Sequence, residues 1–301
     1  MNKRMDRLDR MELFVRVVDR RSFSAAAADL GLARSTATEA LKQLERSLGV
    51  RLLERTTRHV APTLDGQAYY HRCLSILSEV DEAENAFRDA QPRGLLRVDA
   101  HGLLTRTFLL PRLREFMERY PLLDLQIGQG DRLVDLVREG VDCVIRAGTA
   151  VESGLIMRRL ATMTEITCAS PAYLEKHGTP QSPDALEGHF AVGFLSSRTG
   201  EAMPLEFHVD GAVRQVSLPG RLTVNNSDTM ADLARRGFGL IQAPRYRFRQ
   251  DLADGALVEV LKDFPPPPTP LAAFYPQNRQ LSPRLRVFLD WIAKIFAEAD
   301  L

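Results

Sequence analysis

The 301-residue sequence predicts three parts in order: an all-α winged helix-turn-helix module, a long linker helix and a two-lobed α/β body. Three observations carry this. Between Ser22 and Gly66, a short alanine-rich helix, a glycine break and a second helix stand ahead of a basic loop. A segment of about 26 residues then keeps one apolar seam, longer than most globular helices. From Leu95 onward strand-like and helix-like stretches alternate, the rhythm of a sheet with helices outside it. The expected boundaries are 1–66, 67–91 and 92–301, with one lobe at 92–163 and 269–301 and the other at 164–268.

In the first part, Arg7 to Arg20 carries Leu8, Met11, Phe14, Val15 and Val18 at helical spacing. Ser24 is the expected cap of the next helix, since a serine hydroxyl accepts from a backbone N–H two or three residues on. Alanines 25–28 favour the helix and permit close approach, and Gly31 marks its stop. The following helix is expected from Arg34 to Leu48, with Gly49 ending it. Ala37, Ala40, Leu41, Leu44 and Leu48 form its buried stripe. Arg34, Ser35, Thr36, Thr38, Glu39 and Lys42 lie outside that stripe. One guanidinium among short hydroxyls suits base edges and phosphates, and also suits an ordinary solvated face. The basic loop Arg55, Thr56, Thr57, Arg58 and His59 precedes a strand-like Val60–Thr63, the order of a wing.

Charge follows the same division. Residues 1–72 hold 14 Lys/Arg against 9 Asp/Glu, a net of +5, whereas residues 91–301 hold 25 of each sign. A basic module on a neutral body points to phosphate contact at one end. The linker, Asp65 to Ala90, sets Tyr70, Cys73, Leu77, Val80, Ala83 and Phe87 on one seam. A helix of about 39 Å with a single seam needs cover, from a second copy or from its own chain.

The body places strands at Leu95–Ala100, Leu123–Ile127, Cys143–Arg146, Glu165–Ala169, Ala191–Phe194, Leu205–Val209, Leu222–Asn225, Gly239–Ala243 and Leu271–Tyr275. Helices are expected at Thr105–Arg119, Leu133–Glu139, Ser227–Arg236 and Tyr246–Asp251. A last one is capped by Ser282 and opened by Pro283. The βαβ rhythm implies a parallel sheet, and Pro265–Pro268 a stiff crossover before the return strand.

Catalytic patterns are weak. Gly128-Gln129-Gly130 follows a strand but lacks the third glycine and the later acidic residue of a dinucleotide site. Phosphate-loop, nucleophile-elbow and His-Glu-x-x-His patterns are missing, and the six histidines are scattered. Three distant cysteines, Cys73, Cys143 and Cys168, argue against a disulfide framework or zinc site. We therefore expect no enzyme, no metal and no cofactor. Neither a secretory h-region nor a run of about 18 apolar residues occurs, so a cytoplasmic protein without membrane contact is expected.

The combination resembles the LysR-type transcriptional regulators. Ser22-Phe23-Ser24-Ala25-Ala26-Ala27, Leu30-Gly31-Leu32, Ser35, Thr38, Leu41, Leu44-Glu45, Leu48-Gly49, Arg55-Thr56-Thr57-Arg58 and Thr63 with Gly66 match its DNA-binding domain. Tyr120-Pro121, Asp131 to Leu136, Gly140-Val141-Asp142, Ile145 to Gly148, Ala169 to Leu174 and Gly178-Thr179-Pro180 match its effector domain. The resemblance implies a periplasmic-binding-protein-like body and a helix at Arg34–Lys42 that reads the major groove of double-stranded DNA. It also implies a wing at Arg55–His59 and antiparallel pairing of linker helices through Tyr70, Cys73, Leu77, Val80 and Phe87. A homotetramer responding to a small-molecule effector and meeting RNA polymerase completes the expectation. Two positions depart from the family: Ala33 where Ser or Thr usually caps the reading helix, and Glu39 where a basic residue is common. Glu39 either tunes base choice, by accepting from a cytosine amine, or pairs with Arg34, Lys42 or Gln43.

Ligands of open α/β sheets bind beyond the carboxyl ends of strands, near helix starts. That selects His101, Leu103, Leu104 and Thr105, then Arg146, from the first lobe. Phe194, Ser196, Asn225 and Asn226 come from the second. Arg146 serves an anionic effector or a structural pair with Asp131 or Asp142. The alternative function is a cytoplasmic small-molecule binder or enzyme on this body, its N-terminal helices used only for assembly.

Overall fold

The computed structural model describes residues 5–55, 60–85, 91–132, 134–148, 154–277 and 281–301. The chain divides into two compact units, Met1–Gln91 with Asp135–Val141, and Pro92–Val134 with Asp142–Leu301.

The first unit opens with α1 (Arg7–Arg20), α2 (Phe23–Asp29) and α3 (Arg34–Leu48). A capping box starts α1: the Asp6 carboxylate accepts from Asp9 N at 2.8 Å and the Asp9 carboxylate accepts from Asp6 N at 2.8 Å. Helix α2 is capped by Ser22, whose hydroxyl accepts from Ala25 N, and not by Ser24, which already lies inside the helix. Strands β1 (Leu53–Arg55) and β2 (Val60–Pro62) pair antiparallel, and α4 (Leu64–Asn85) follows. Leu13, Phe14, Val17, Ala26, Ala27, Ala37, Leu41, Leu52 and Cys73 are buried in one core. Each large apolar side chain fully buried there contributes about 1.5–3 kcal/mol. Leu48 is 41% exposed, so the buried stripe of α3 stops at Leu44. A Cβ on Gly66 would stand 1.9 Å from Leu52 O, so the start of α4 touches the wing backbone where only glycine fits.

The second unit runs β3 (Gly94–Ala100), α5 (Gly102–Leu104), α6 (Leu110–Arg119), β4 (Leu123–Gln129), β5 (Cys143–Ala147) and β6 (Leu155–Met163). A π-turn at Thr105–Leu109 joins α5 to α6, so the helix expected from Thr105 begins earlier, at Gly102. The expected helix at 133–139 is confined to Leu136–Glu139, and Leu133 lies outside the described residues. Next come β7 (Glu165–Ala169), a helix at Pro171–His177, and β8 (Gly193–Phe194), β9 (Leu205–Val209), β10 (Ala212–Val216) and β11 (Thr223–Val224). The helix at Ser227–Arg235 is called the cleft helix below; Ile241–Pro244, Arg249–Asp254 and Val258–Val260 follow it. The return strand Thr269–Pro276 and the closing helix Pro283–Ala297 end the chain, the latter capped by Ser282, which accepts from Leu285 N.

Five strands form the first lobe's sheet in the order β4, β3, β5, return strand, β6. β3 is parallel to β4 and β5, but the return strand is antiparallel to both its neighbours, so the sheet is mixed and not parallel. The second lobe is built on β7, flanked antiparallel by Ile241–Pro244 and Val258–Val260. Leu96, Val98, Phe116, Ile145, Leu271, Phe288 and Ile292 fill the first lobe's core. Ile166, Cys168, Val192, Met230, Ile241 and Phe248 fill the second's.

Candidate functional sites

Helix α3 presents Arg34, Ser35, Glu39 and Lys42 exposed, with Thr36 and Thr38 half-buried at the edge of the stripe. Ala33 stands at the N-cap and offers no side-chain hydrogen bond. The Thr38 hydroxyl donates to Arg34 O at 2.9 Å, one turn back. Glu39 pairs with Arg46 at 2.6 Å, and not with the three partners weighed from the sequence. Spacing explains this, because position i+7 is two turns along on the same face.

The wing is tied to this helix by Glu45. Its Oε1 accepts from Leu52 N at 2.9 Å and from Leu53 N at 3.2 Å, fixing the first wing strand to the second half of α3. Sequence reasoning used Glu45 only as a family match and missed this role. Thr63 closes the other side: its hydroxyl donates to Arg51 O at 2.7 Å and accepts from Gly66 N at 2.9 Å. Arg55 ends β1 opposite Val60. Thr56, Arg58 and His59 lie outside the described residues.

On α4, Cys73 is fully buried and Tyr70 and Leu77 pack on the same core, with the Tyr70 hydroxyl 2.5 Å from Asp19. Cys73 therefore cannot face a partner helix, a correction to the seam expected for it. The reason is that α1 and the helix-turn-helix core already cover that side. Val80 is half-buried and Ile76 is 37% exposed; Phe87 lies outside the described residues. Burial raises all three thiols: Cys73 to about 11 and Cys168 to about 12, with Cys143 higher still. None is a thiolate near neutral pH.

Between the lobes of the second unit lies a cavity of about 410 Å³. Leu104, Met163, Val192, Phe194, Met203, Met230 and Tyr246 supply apolar wall, and His101, Asp131, Arg146, Glu165, Glu206, Ser227, Gln242, Arg247 and Thr269 the polar points. His101, Leu104, Arg146 and Phe194 were expected here. Leu103, Thr105, Ser196, Asn225 and Asn226 were also expected but do not line it. Leu103 packs against the lobe's core, and the buried Thr105 hydroxyl donates to His101 O at 3.0 Å. The Ser196 hydroxyl closes its own turn by accepting from Arg198 N and Thr199 N. Asn225 is exposed, and Asn226 caps the cleft helix by accepting from Thr229 N at 2.9 Å.

The polar points are organised in two groups. Asp131, from the loop after β4, accepts from Ser227 N at 2.8 Å, the Ser227 hydroxyl at 3.0 Å and Asn226 Nδ2 at 3.2 Å, and lies 2.9 Å from His101 Nε2, which also bonds the Ser227 hydroxyl at 2.5 Å. Burial opposes its charge, but the bonds from His101 and Ser227 outweigh it and hold the carboxyl well below the usual range. Nearby, Arg106 of the first lobe donates to Asp228 at 2.9 Å, and Arg247 pairs with Asp228 as well. In the other group Arg146 binds Asp99, a partner not weighed from the sequence, and its own neighbour's carbonyl, Ile145 O. Nε of Arg146 and Nε of Arg247 are buried with no hydrogen-bond partner. Burial, eased by a bond with Thr269, raises the Glu165 carboxyl to about 7.

Family models match across this organisation. The bacterial regulatory helix-turn-helix protein of the lysR family matches residues 8–67, and the LysR substrate binding domain matches residues 89–297. The chain belongs to the LysR family of transcriptional regulators. It is similar to the regulator YhjC of Escherichia coli K12, at 38% identity over 98% of this chain and 99% of the relative. A transcriptional repressor of Pseudomonas aeruginosa is 36% identical over 98% of this chain and 93% of its own. Among solved structures, the regulator CrgA of Neisseria meningitidis aligns over 98% of this chain and 100% of its own, with a TM-score of 0.59 and 32% identity. The full-length virulence activator AphB of Vibrio cholerae aligns over 96% of this chain and 99% of its own, with a TM-score of 0.59 and 25% identity.

In this LysR-type regulator, α1 to α3 and the β1–β2 pair fall largely within the helix-turn-helix match and the two-lobed unit within the substrate binding domain match. Arg247, Glu165 and the role of Asp131 were missed from the sequence. Arg247 lies three residues after the strand that ends at Pro244, in the helical turn Arg245–Phe248, a cation near a strand end that could have been flagged. The burial of Glu165 depends on a second lobe that only the fold assembles.

Proposed function

We propose that this LysR-type regulator binds a small amphipathic effector between its lobes and that binding shifts how paired DNA-binding units sit on an operator. The observation that supports this reading is the interlobe cavity: largely apolar walls with two buried arginines whose Nε–H groups lack partners. An apolar body with one acceptor group suits such walls, and buried unsatisfied donors favour a ligand that completes them. Arg34, Ser35, Thr36, Thr38, Glu39 and Lys42 are the groups proposed to meet DNA in the major groove. Arg55, Thr56, Arg58 and His59 are proposed to meet its backbone. Dimerisation is assigned to the outward side of α4 at Ile76 and Val80 and to Phe87 beyond it, with two dimers forming a tetramer on a pseudo-palindromic site. A cytoplasmic location and a contact with RNA polymerase belong to the same proposal. Among the described residues no helix is long and apolar enough to cross a membrane.

Two measurements test it. A gel shift on DNA upstream of the protein's own gene, run across a salt series, is expected to show specific, salt-sensitive binding. Binding that lacks specificity at every salt concentration points to the alternative small-molecule binder or enzyme. A thermal-shift screen of metabolites is then expected to find a ligand that raises Tm and changes the footprint. A hit that leaves the footprint unchanged removes the link between cavity and operator.

A further inference from the structure

The start of the cleft helix is a site already filled. Nine residues long, this helix presents the free N–H groups and positive dipole end that bind anions. The group that occupies it comes from the other lobe. Asp131 takes the Ser227 N–H, the Ser227 hydroxyl and the Asn226 amide, lies 2.9 Å from His101 Nε2, and its side chain is only 7% exposed. Three donors and an imidazole around one carboxylate, drawn from two lobes, make the geometry of a carboxylate receptor whose guest is tethered to the chain. A second observation points elsewhere in the same cavity. The Arg247 side chain is 4% exposed, lines the cavity and keeps an unpartnered Nε–H, and Arg146 does likewise at 14%.

We propose that the start of the cleft helix is a carboxylate seat filled by the protein's own Asp131, so that an effector places its acidic group on Arg247 or Arg146 instead. This rests on the effector-cavity reading above. Asp131 is strongly held as an anion, so a free acid gains little by displacing it and leaves a second carboxylate without partners. The arginines have the opposite need: each is paired through one edge of its guanidinium and still lacks an acceptor at Nε. The apolar walls formed by Leu104, Phe194, Met203 and Met230 then cover the rest of the ligand. The class selected is a carboxylate with an apolar body.

The test uses the full-length protein, with Tm as readout and two probes. Acetate examines the seat. Asp131→Ala is expected to melt lower than the natural protein and to regain several degrees in acetate but not in chloride at equal ionic strength. The natural protein is expected not to move. Asp131→Asn, which fills the same space, is expected not to respond, and Asp131→Ser opens the same vacancy should the alanine variant not fold. A response to acetate shared by natural protein and variants, or a missing response in both Asp131→Ala and Asp131→Ser, overturns the seat. Hexanoate against its neutral isostere hexanamide examines the arginines. Hexanoate is expected to stabilise the natural protein more, and Arg247→Gln or Arg146→Gln to remove that advantage. An advantage that is absent in the natural protein, or that survives in both variants, overturns the arginine assignment. Failure of the regulator reading would show separately, as loss of operator binding by the natural protein in the gel shift.

Discussion

Two helix starts in this protein meet the same physical demand and answer it in opposite ways. The first N–H groups of any helix lack internal partners and carry the positive end of the dipole. The cleft helix satisfies them from within, with Asn226 as cap, Asp228 in its first turn and the Asp131 carboxylate across the gap. Helix α3 does none of this: Ala33 gives no cap bond, and its first turn holds no acidic residue. Arg34 and Ser35 stand exposed beside those N–H groups. The contrast recasts Ala33. Taken alone it is a lost cap, a cost of about 1 kcal/mol. Beside the cleft helix it is a start with no side-chain cap and no acidic residue, and under the function proposed for α3 a DNA phosphate is the anion that would meet it.

The largest expected effect falls on the saturated start. Asp131→Asn should cost about 3 kcal/mol at neutral pH, since it removes a charge acceptor from a buried hydrogen-bonded group. The folded carboxyl titrates below its ordinary value of 3.8, so its stabilisation is present above that pH and is lost as pH falls below it. Unfolding curves of the two proteins should therefore converge in acid. A variant as stable as the natural protein at pH 7 would break the comparison.

Glu165 sharpens it from inside the same cavity with the opposite sign. Its carboxyl rises from 4.5 to about 7, so the folded state holds a proton that the unfolded chain has released. Stability from this group is full below pH 4.5 and falls as pH rises toward 7, by up to about 3 kcal/mol. Glu165→Gln should flatten that slope and raise stability at pH 8 relative to the natural protein, measured by denaturant unfolding at a series of pH values. An unchanged slope would show that Glu165 is solvated.

At the open start, Arg34→Ala should weaken operator binding by about 1–3 kcal/mol, roughly 5- to 150-fold, and relax base choice near its contact. Arg58→Ala should weaken all sequences alike and lower the salt dependence by about one phosphate. Equal footprints and affinities in both variants would remove the reading-helix and wing assignment.

How much of this was legible in the sequence depends on whether a feature is local. The bounds of α3, the Gly49 stop and the Ser282-Pro283 start of the closing helix are set by neighbours within a turn or two, and periodicity reads them. The edge strand β6 was missed because Leu155–Met163 mixes arginines with apolar residues and shows no clean alternation. The direction of the return strand is likewise not a local property. The cavity illustrates the same limit. His101, Leu104 and Arg146 follow from strand ends, but Asp131 reaches Ser227 across 96 residues, and Asp99 reaches Arg146 across 47. Thr105 misled because a hydroxyl at a helix start resembles a ligand donor, whereas here it is spent on the carbonyl one turn back.

The smallest effect is the cleanest comparison, because one chemical group is moved in opposite directions at the two starts. Asn226→Ala removes the bond to Thr229 N and should cost about 1 kcal/mol. Ala33→Ser supplies the missing bond and should add about 0.5–1 kcal/mol to the DNA-binding unit. If the α3 start is open because a phosphate uses it, the new hydroxyl competes for the same N–H groups. Ala33→Ser should then stabilise the free protein yet leave operator affinity unchanged or up to about threefold weaker, a loss below 1 kcal/mol. Paired melting and gel-shift measurements decide it. An affinity gain that matches the stability gain would mean that the start was merely unfinished, and that no phosphate sits on it.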